Sequence, residues 1–141
     1  MYLLDTNVLS ELRRPDRADA RVLSWAARQR PAQFWVSAIT ILELERGVLL
    51  IERRDVRQGV QLRSWLEGSI LRQFQDRVLV IDTAVARRCA ALHVPDPRAD
   101  RDALLAATAL VHGMTIVTRN IADFAATKVP LLNPWDDGDA V

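Results

Sequence analysis

A chain of 141 residues, 50% hydrophobic and 26% charged, has the make-up of a folded globular protein and is excluded from the disordered class. Its length suits one core of ordinary size and argues against a second domain. The single cysteine, Cys89, rules out an intrachain disulfide and a cysteine-built zinc site. No apolar run reaches the roughly 18 to 20 residues that a membrane span needs, and the N-terminus lacks the basic segment of a signal peptide. A cytoplasmic protein with no membrane partner is the expectation. The formal charge of +1 conceals an asymmetry, because Asp136, Asp137 and Asp139 fall in the last six residues and leave 19 basic against 15 acidic side chains elsewhere. All but Lys128 of the basic residues are arginines, whose planar fork suits phosphate. Scattered arginines are also an ordinary solvated surface, so charge alone does not select a nucleic-acid partner.

Tyr2 to Leu4 reads as a first strand, followed by a helix from about Asn7 to Arg14 that Pro15 helps to end. A second helix is expected over 18–30, closed by Pro31. Phe34-Trp35-Val36-Ser37 is a short β-prone run. A helix from about Ile39 to Arg54 and a long amphipathic segment over 56–74 come next. Val78 to Ile81 is a third strand ending at Asp82, Thr83 to Leu92 is helical, and 93–100 with its two prolines is loop. Asp102 to His112 is helical again, with Gly113 as its C-cap. Met114 to Val117 is a fourth strand, and Pro130-Leu131-Leu132 adds a short fifth. Strands alternating with helices give an α/β fold with a parallel sheet covered on both faces.

Acids and amides follow several strand ends: Asp5, Asp82 and Asn120. The crevice outside the carboxyl ends of parallel strands is the usual ligand site. Asp5 therefore has two readings, as a site residue or as a cap of the helix that follows, a role open also to Thr6 and Asn7. Glu43 lies in an apolar helix whose Ile39, Leu42 and Leu50 mark a face turned toward the core. Gly47, one turn on, costs the helix about 1 kcal/mol relative to alanine and suggests that something needs the room. Glu43 is either a metal ligand or a half-exposed partner of Arg46, whereas Glu45 and Glu52 read as exposed helix charges. Asp102 opens a small-residue helix, where the helix dipole also favours an acid. Asp123, after the fourth strand, reads as a turn residue or a local cap.

Several carboxylates without cysteine partners form an oxygen-only donor set suited to Mg2+ or Mn2+. Such ions activate water and offset charge on a phosphodiester. There is no Gly-rich phosphate loop, no zinc helix and no nucleophile elbow. His93 and His112 are isolated, and the four tryptophans are most simply core, with Trp35 and Trp135 as interface candidates.

Four separated stretches, LLDTNVLSEL at 3–12, SAITILELERG at 37–47, DALLAATAL at 102–110 and TIVTRNIADF at 115–124, with NPW at 133–135, resemble the PIN-domain toxins of the VapC and FitB-like type II toxin-antitoxin group. The resemblance spans nearly the whole chain. It implies a single PIN domain over 1–141, a three-layer sandwich around a mainly parallel sheet, with 136–141 as a flexible acidic tail. It also implies an Mg2+- or Mn2+-dependent ribonuclease acting on RNA and silenced by a cognate VapB- or FitA-like DNA-binding antitoxin. Homodimers or larger assemblies with the antitoxin follow as well. Carried onto this chain, Asp5 and Asp102 are the principal metal ligands and Glu43 completes the acidic cluster directly or through water. Thr6, Asn7 and Thr118 support the site. Where the family often has a fourth acid this chain has Asn120, with Asp123 three residues on. That departure supports an alternative from another class, a PIN-like nucleic-acid- or partner-binding module with weak or no catalysis.

Overall fold

Residues 1–136 are described by a computed structural model. Five parallel strands form one sheet in the order β3-β2-β1-β4-β5: β1 is Tyr2–Leu4, β2 Phe34–Ser37, β3 Val78–Leu79, β4 Thr115–Val117 and β5 Leu131–Leu132. The central strand β1 registers Tyr2 with Phe34 on one side and with Thr115 on the other. Strand alternation then divides its two leucines between opposite faces. Leu4 joins a core with Val8, Trp25, Val36 and Leu44, whereas Leu3 joins another with Leu105, Ala106, Ile116 and Phe124. A buried parallel sheet requires such cover on both faces, and the result is the three-layer arrangement expected from the sequence.

On the Leu4 side lie α1 (Thr6–Leu12), α2 (Ala20–Ala27), α3 (Ala38–Arg54) and α4 (Val56–Trp65). The chain runs on from α4 through a π-helical turn at Leu66–Ile70 to the short α5 (Leu71–Gln73). On the Leu3 side lies α7 (Asp100–His112), with α6 (Thr83–Leu92) against it. Ala103, Ala106, Ala107 and Ala109 of α7 are all fully buried, so small side chains bring this helix close to the sheet and to α6. Gly113 ends α7 with a φ of 67°, the left-handed conformation that glycine adopts without steric cost.

Four expectations are corrected. The buried positions of α3 are Thr40, Leu44 and Val48, whereas Leu42 and Leu50 are more than half exposed. With apolar residues distributed around the helix, composition did not identify its inner face. Gly47 has nothing near the position of an added Cβ. The glycine that needs its room is Gly59 of α4, where a Cβ would lie 2.8 Å from the Glu52 backbone. Strand β3 stops at Leu79 because its partner β2 ends at Ser37, leaving Val80 exposed and Asp82 to cap α6 by accepting from Val85 N at 2.9 Å. Helix α7 begins at Asp100, placing Asp102 one position past Arg101 inside the first turn. The acidic tail expected at 136–141 lies, apart from Asp136, outside the described residues. Among the described residues no helix is long and apolar enough to cross a membrane.

Candidate active site at the carboxyl edge of the sheet

All strands run the same way, so the chain leaves β1 and β4 at one edge, delivering Asp5 and Thr118 side by side. The pairing of Asp5 N with Val117 O at 3.0 Å extends the ladder one residue past β1. Asp5 is wholly buried. A buried carboxylate is costly unless donors surround it, and here they do. Its Oδ1 accepts from Thr6 N at 2.7 Å, and its Oδ2 accepts from Thr118 Oγ1 at 2.7 Å and from Asn7 Nδ2 at 3.5 Å. Asp5 is thus itself the N-cap of α1. The two readings open at the sequence are compatible, because capping uses an oxygen edge without removing the carboxylate from the site.

Thr118 is wholly buried and links the strand end to the following loop, accepting from Asn120 N at 3.0 Å and Asn7 Nδ2 at 3.3 Å. Asn7 Oδ1 accepts from Arg119 N at 3.3 Å. Glu43 arrives from the second turn of α3, whose N-cap is Ser37 at the end of β2. Its Oε1 accepts from Thr6 Oγ1 at 2.6 Å. The Arg46 pairing is not what holds it; Arg101 is.

Arg101 is the residue missed at the sequence. Its Nε donates to Glu43 Oε2 at 2.9 Å and its Nη2 to Glu43 Oε1 at 2.9 Å; Nη2 also donates to Asp5 Oδ1, and Nη1 donates to Asp102 Oδ1 at 3.2 Å. One guanidinium therefore gathers carboxylates from β1, α3 and α7. Burial opposes charge on Glu43, but the Arg101 and Thr6 hydrogen bonds prevail and hold its carboxyl below the ordinary value of 4.5. Burial likewise disfavours charge on Arg101, and its bonds to Glu43 and Asp5 outweigh that and raise its pKa. With α7 beginning at Asp100, Arg101 is a cation in the first turn of a helix, where it opposes the helix dipole; with the helix start placed at Asp102, the sequence offered no such signal.

The other candidates are less integrated. Asn120 joins the network through its backbone N–H and precedes a 3-10 turn over Ile121–Asp123. Asp123 is exposed and, among the described residues, its carboxylate makes no hydrogen bond or ion pair with the cluster. Beside Glu43 a groove of 330 Å³ is lined by Thr6, Leu44, Gly47, Val48 and Trp65, with Arg13 at its side. Gly47 thus borders open space. Of the tryptophans, Trp25 and Trp135 are buried and Trp35 is partly exposed, with Arg119 stacked over Trp135 at 5.2 Å.

The acid cluster suits a divalent ion chemically: its donors are hard carboxylate oxygens, and they already converge on one cation. They are spread around a guanidinium, however, and among the described residues no three acidic, histidine or cysteine side chains stand close enough together to hold a metal ion as they are. As they stand, Asp5, Glu43 and Asp102 are arranged around the Arg101 guanidinium.

The PIN-domain family pattern matches residues 2–129. The chain is 38% identical to toxin FitB of Neisseria gonorrhoeae, covering 97% of this chain and all of FitB, and 36% identical to the plasmid stability protein StbB of Pseudomonas syringae pv. tomato, covering 96% and 99%. It is also 36% identical to the VapC ribonuclease Y4jK of Sinorhizobium fredii, covering 96% and 99%. Its fold superposes on a chain in the crystal structure of FitAcB from Neisseria gonorrhoeae with a TM-score of 0.88 at 37% identity, covering 96% and 99% of the two chains. The pattern match and the near-full-length relatives agree with the α/β sandwich and its strand-end cluster: the chain belongs to the PIN-domain family, in the group that includes FitB and VapC proteins.

Proposed function

We propose that this protein is the toxin of a toxin-antitoxin pair and cleaves RNA as an Mg2+- or Mn2+-dependent endoribonuclease. The observation that carries the reading is the convergence of Asp5, Glu43 and Asp102, from three different elements, on one cation at the carboxyl edge of the sheet. Asp5 and Asp102 would hold the ion, with Glu43 completing its shell directly or through water. The ion supplies activation of a water for in-line attack and relief of charge on the phosphodiester. Thr118 and Thr6 N fix the Asp5 carboxylate, and Thr6 Oγ1 fixes Glu43; held acids lose less entropy on binding an ion and present it at a set position. Asn120 offers a carbonyl oxygen without the charge of the acid often found there, and Asp123 is the other candidate to complete the site.

Names of the relatives support the reading: one is a VapC ribonuclease and another a toxin. A structural neighbour of 35% identity, TM-score 0.89, belongs to FitAB bound to a DNA fragment, which supports a DNA-binding antitoxin as partner. The groove beside Glu43 is the proposed seat of an antitoxin segment. Leu42, Leu49, Leu50, Val56 and Val60, all at least half exposed on α3 and α4, are the proposed apolar contacts of a homodimer or larger assembly.

Asp5→Asn preserves shape and removes charge. The expected outcome is loss of Mn2+-supported RNA cleavage by at least about a hundred-fold, with products of the wild type carrying 5′-phosphate and 3′-hydroxyl ends. Full cleavage by the purified variant would sink the mechanism. The second reading, a binding module without catalysis, draws on Arg101 filling the acid cluster and on Asn120. It is favoured if the wild type binds RNA but leaves it intact at saturating Mn2+.

A further inference from the structure

The four Arg101 bonds occupy oxygens that a metal ion would need. Both oxygens of Glu43 are taken by the Nε and Nη2 fork, and Asp5 Oδ1 is shared by Nη2 and Thr6 N while Oδ2 is held by Thr118. Asp102, adjacent in the chain, is held by Nη1. The guanidinium is the strongest available fit to such a set, planar and bidentate, and it does not lose its proton at working pH. It is cleared only by moving. The side chain is 30% exposed and starts from the first turn of α7, so part of it already faces solvent.

We propose that Arg101 is an internal competitor for the metal: it fills the acid cluster of the free chain and must release Asp5 and Glu43 before a divalent ion binds. The inference rests on the metal-dependent reading above and adds a threshold to it. Apparent affinity is the intrinsic affinity reduced by the fraction of molecules in which the site is clear. If Arg101 occupies the cluster in nine-tenths of molecules or more, its removal tightens binding by about ten-fold or more. Once released, the guanidinium remains tethered beside Asp102, at the rim of the site.

The test titrates Mn2+ alone into the full chain, following the unbound ion by electron paramagnetic resonance and the melting temperature in parallel. Arg101→Gln should bind Mn2+ at least about ten-fold more tightly than the wild type and show the larger Mn2+-induced rise in melting temperature. Arg101→Lys keeps the charge but loses the fork, and should fall between the two; it carries the test if the glutamine variant fails to fold by circular dichroism. Arg46→Gln is the control for charge through space, because Arg46 acts on Glu43 electrostatically without a place in the cluster. An Arg101 variant that binds no more tightly than the wild type, or no more tightly than Arg46→Gln, overturns the inference while leaving a metal site in place. If neither wild type nor folded Arg101 variants bind Mn2+, the metal-dependent reading falls together with it.

Discussion

Two arginines in this molecule each gather three carboxylates, and they differ in almost everything else. Arg63 of α4 donates to Glu52 through Nε and Nη2 at 3.2 Å each, and through Nη1 to Glu45 at 3.0 Å and Glu67 at 3.3 Å. Its partners project from helix faces with side chains 36% to 60% exposed. Arg101 binds Asp5, Glu43 and Asp102, which are 1%, 21% and 20% exposed and come from a strand end and two helices on opposite sides of the sheet. The first cluster fastens α3 to α4 across a hairpin whose close approach is set by Gly59 against Glu52. Water competes for each of its bonds, so it contributes little. In the second, burial makes every charge dependent on its partner, and the proposed exchange of an ion for the guanidinium would draw on that dependence. Equal numbers of charges thus give a fastener at the surface and a buried, mutually dependent cluster at the sheet edge.

The comparison is broken most severely at Thr118, which has no counterpart around Arg63. Thr118→Val removes the hydroxyl that donates to Asp5 and accepts from Asn120 N. Roughly a ten- to hundred-fold loss of Mn2+ affinity is expected, with a stability loss of about 1–3 kcal/mol for the buried groups left short of partners. Parallel metal titration and urea unfolding would check both. A smaller effect separates the clusters by pH. The folded pKa of Glu43 is lowered from its ordinary 4.5. Its ion pair therefore contributes stability that is fully present above 4.5 and is lost as pH falls through the folded value. Glu43→Gln should be less stable than the wild type at neutral pH, and that deficit should shrink as pH drops below 4.5 in chemical denaturation. The smallest effect is at Arg63. Arg63→Gln should leave Mn2+ affinity and cleavage unchanged and lower the melting temperature only slightly, by an amount that fades at about 1 M salt. A large loss of metal affinity in this variant would show that the two clusters are coupled through α3.

The strands were legible because short β-prone runs bounded by polar residues have few alternatives, and the order of acids after them pointed to the right edge of the sheet. Helix α3 was less legible. Apolar side chains at Leu42, Leu49 and Leu50 face outward, and a helix carrying apolar residues on more than one side does not reveal which side is covered. Gly47 and Gly59 were indistinguishable as helical glycines, since close approach of a neighbouring helix is not a local property. Asp82 and Asp5 both follow strands and both cap a helix, yet only Asp5 also enters the cluster. The difference is position in the sheet: β1 is central and β3 lies at the edge.

The sequence by itself determined the alternation of strands and helices, the family, and the presence of Asp5, Glu43 and Asp102 at strand-end and helix positions, because these depend on local patterns and motif spacing. Only the tertiary structure decided that the three acids share one cation and that the cation is Arg101. Adjacent residues on a helix point in different directions, so nothing local tells whether Arg101 turns toward solvent or toward Asp5, 96 positions away along the chain. That choice is made by the desolvation of Asp5, which the packing of β1 between β2 and β4 imposes and a nearby positive charge offsets.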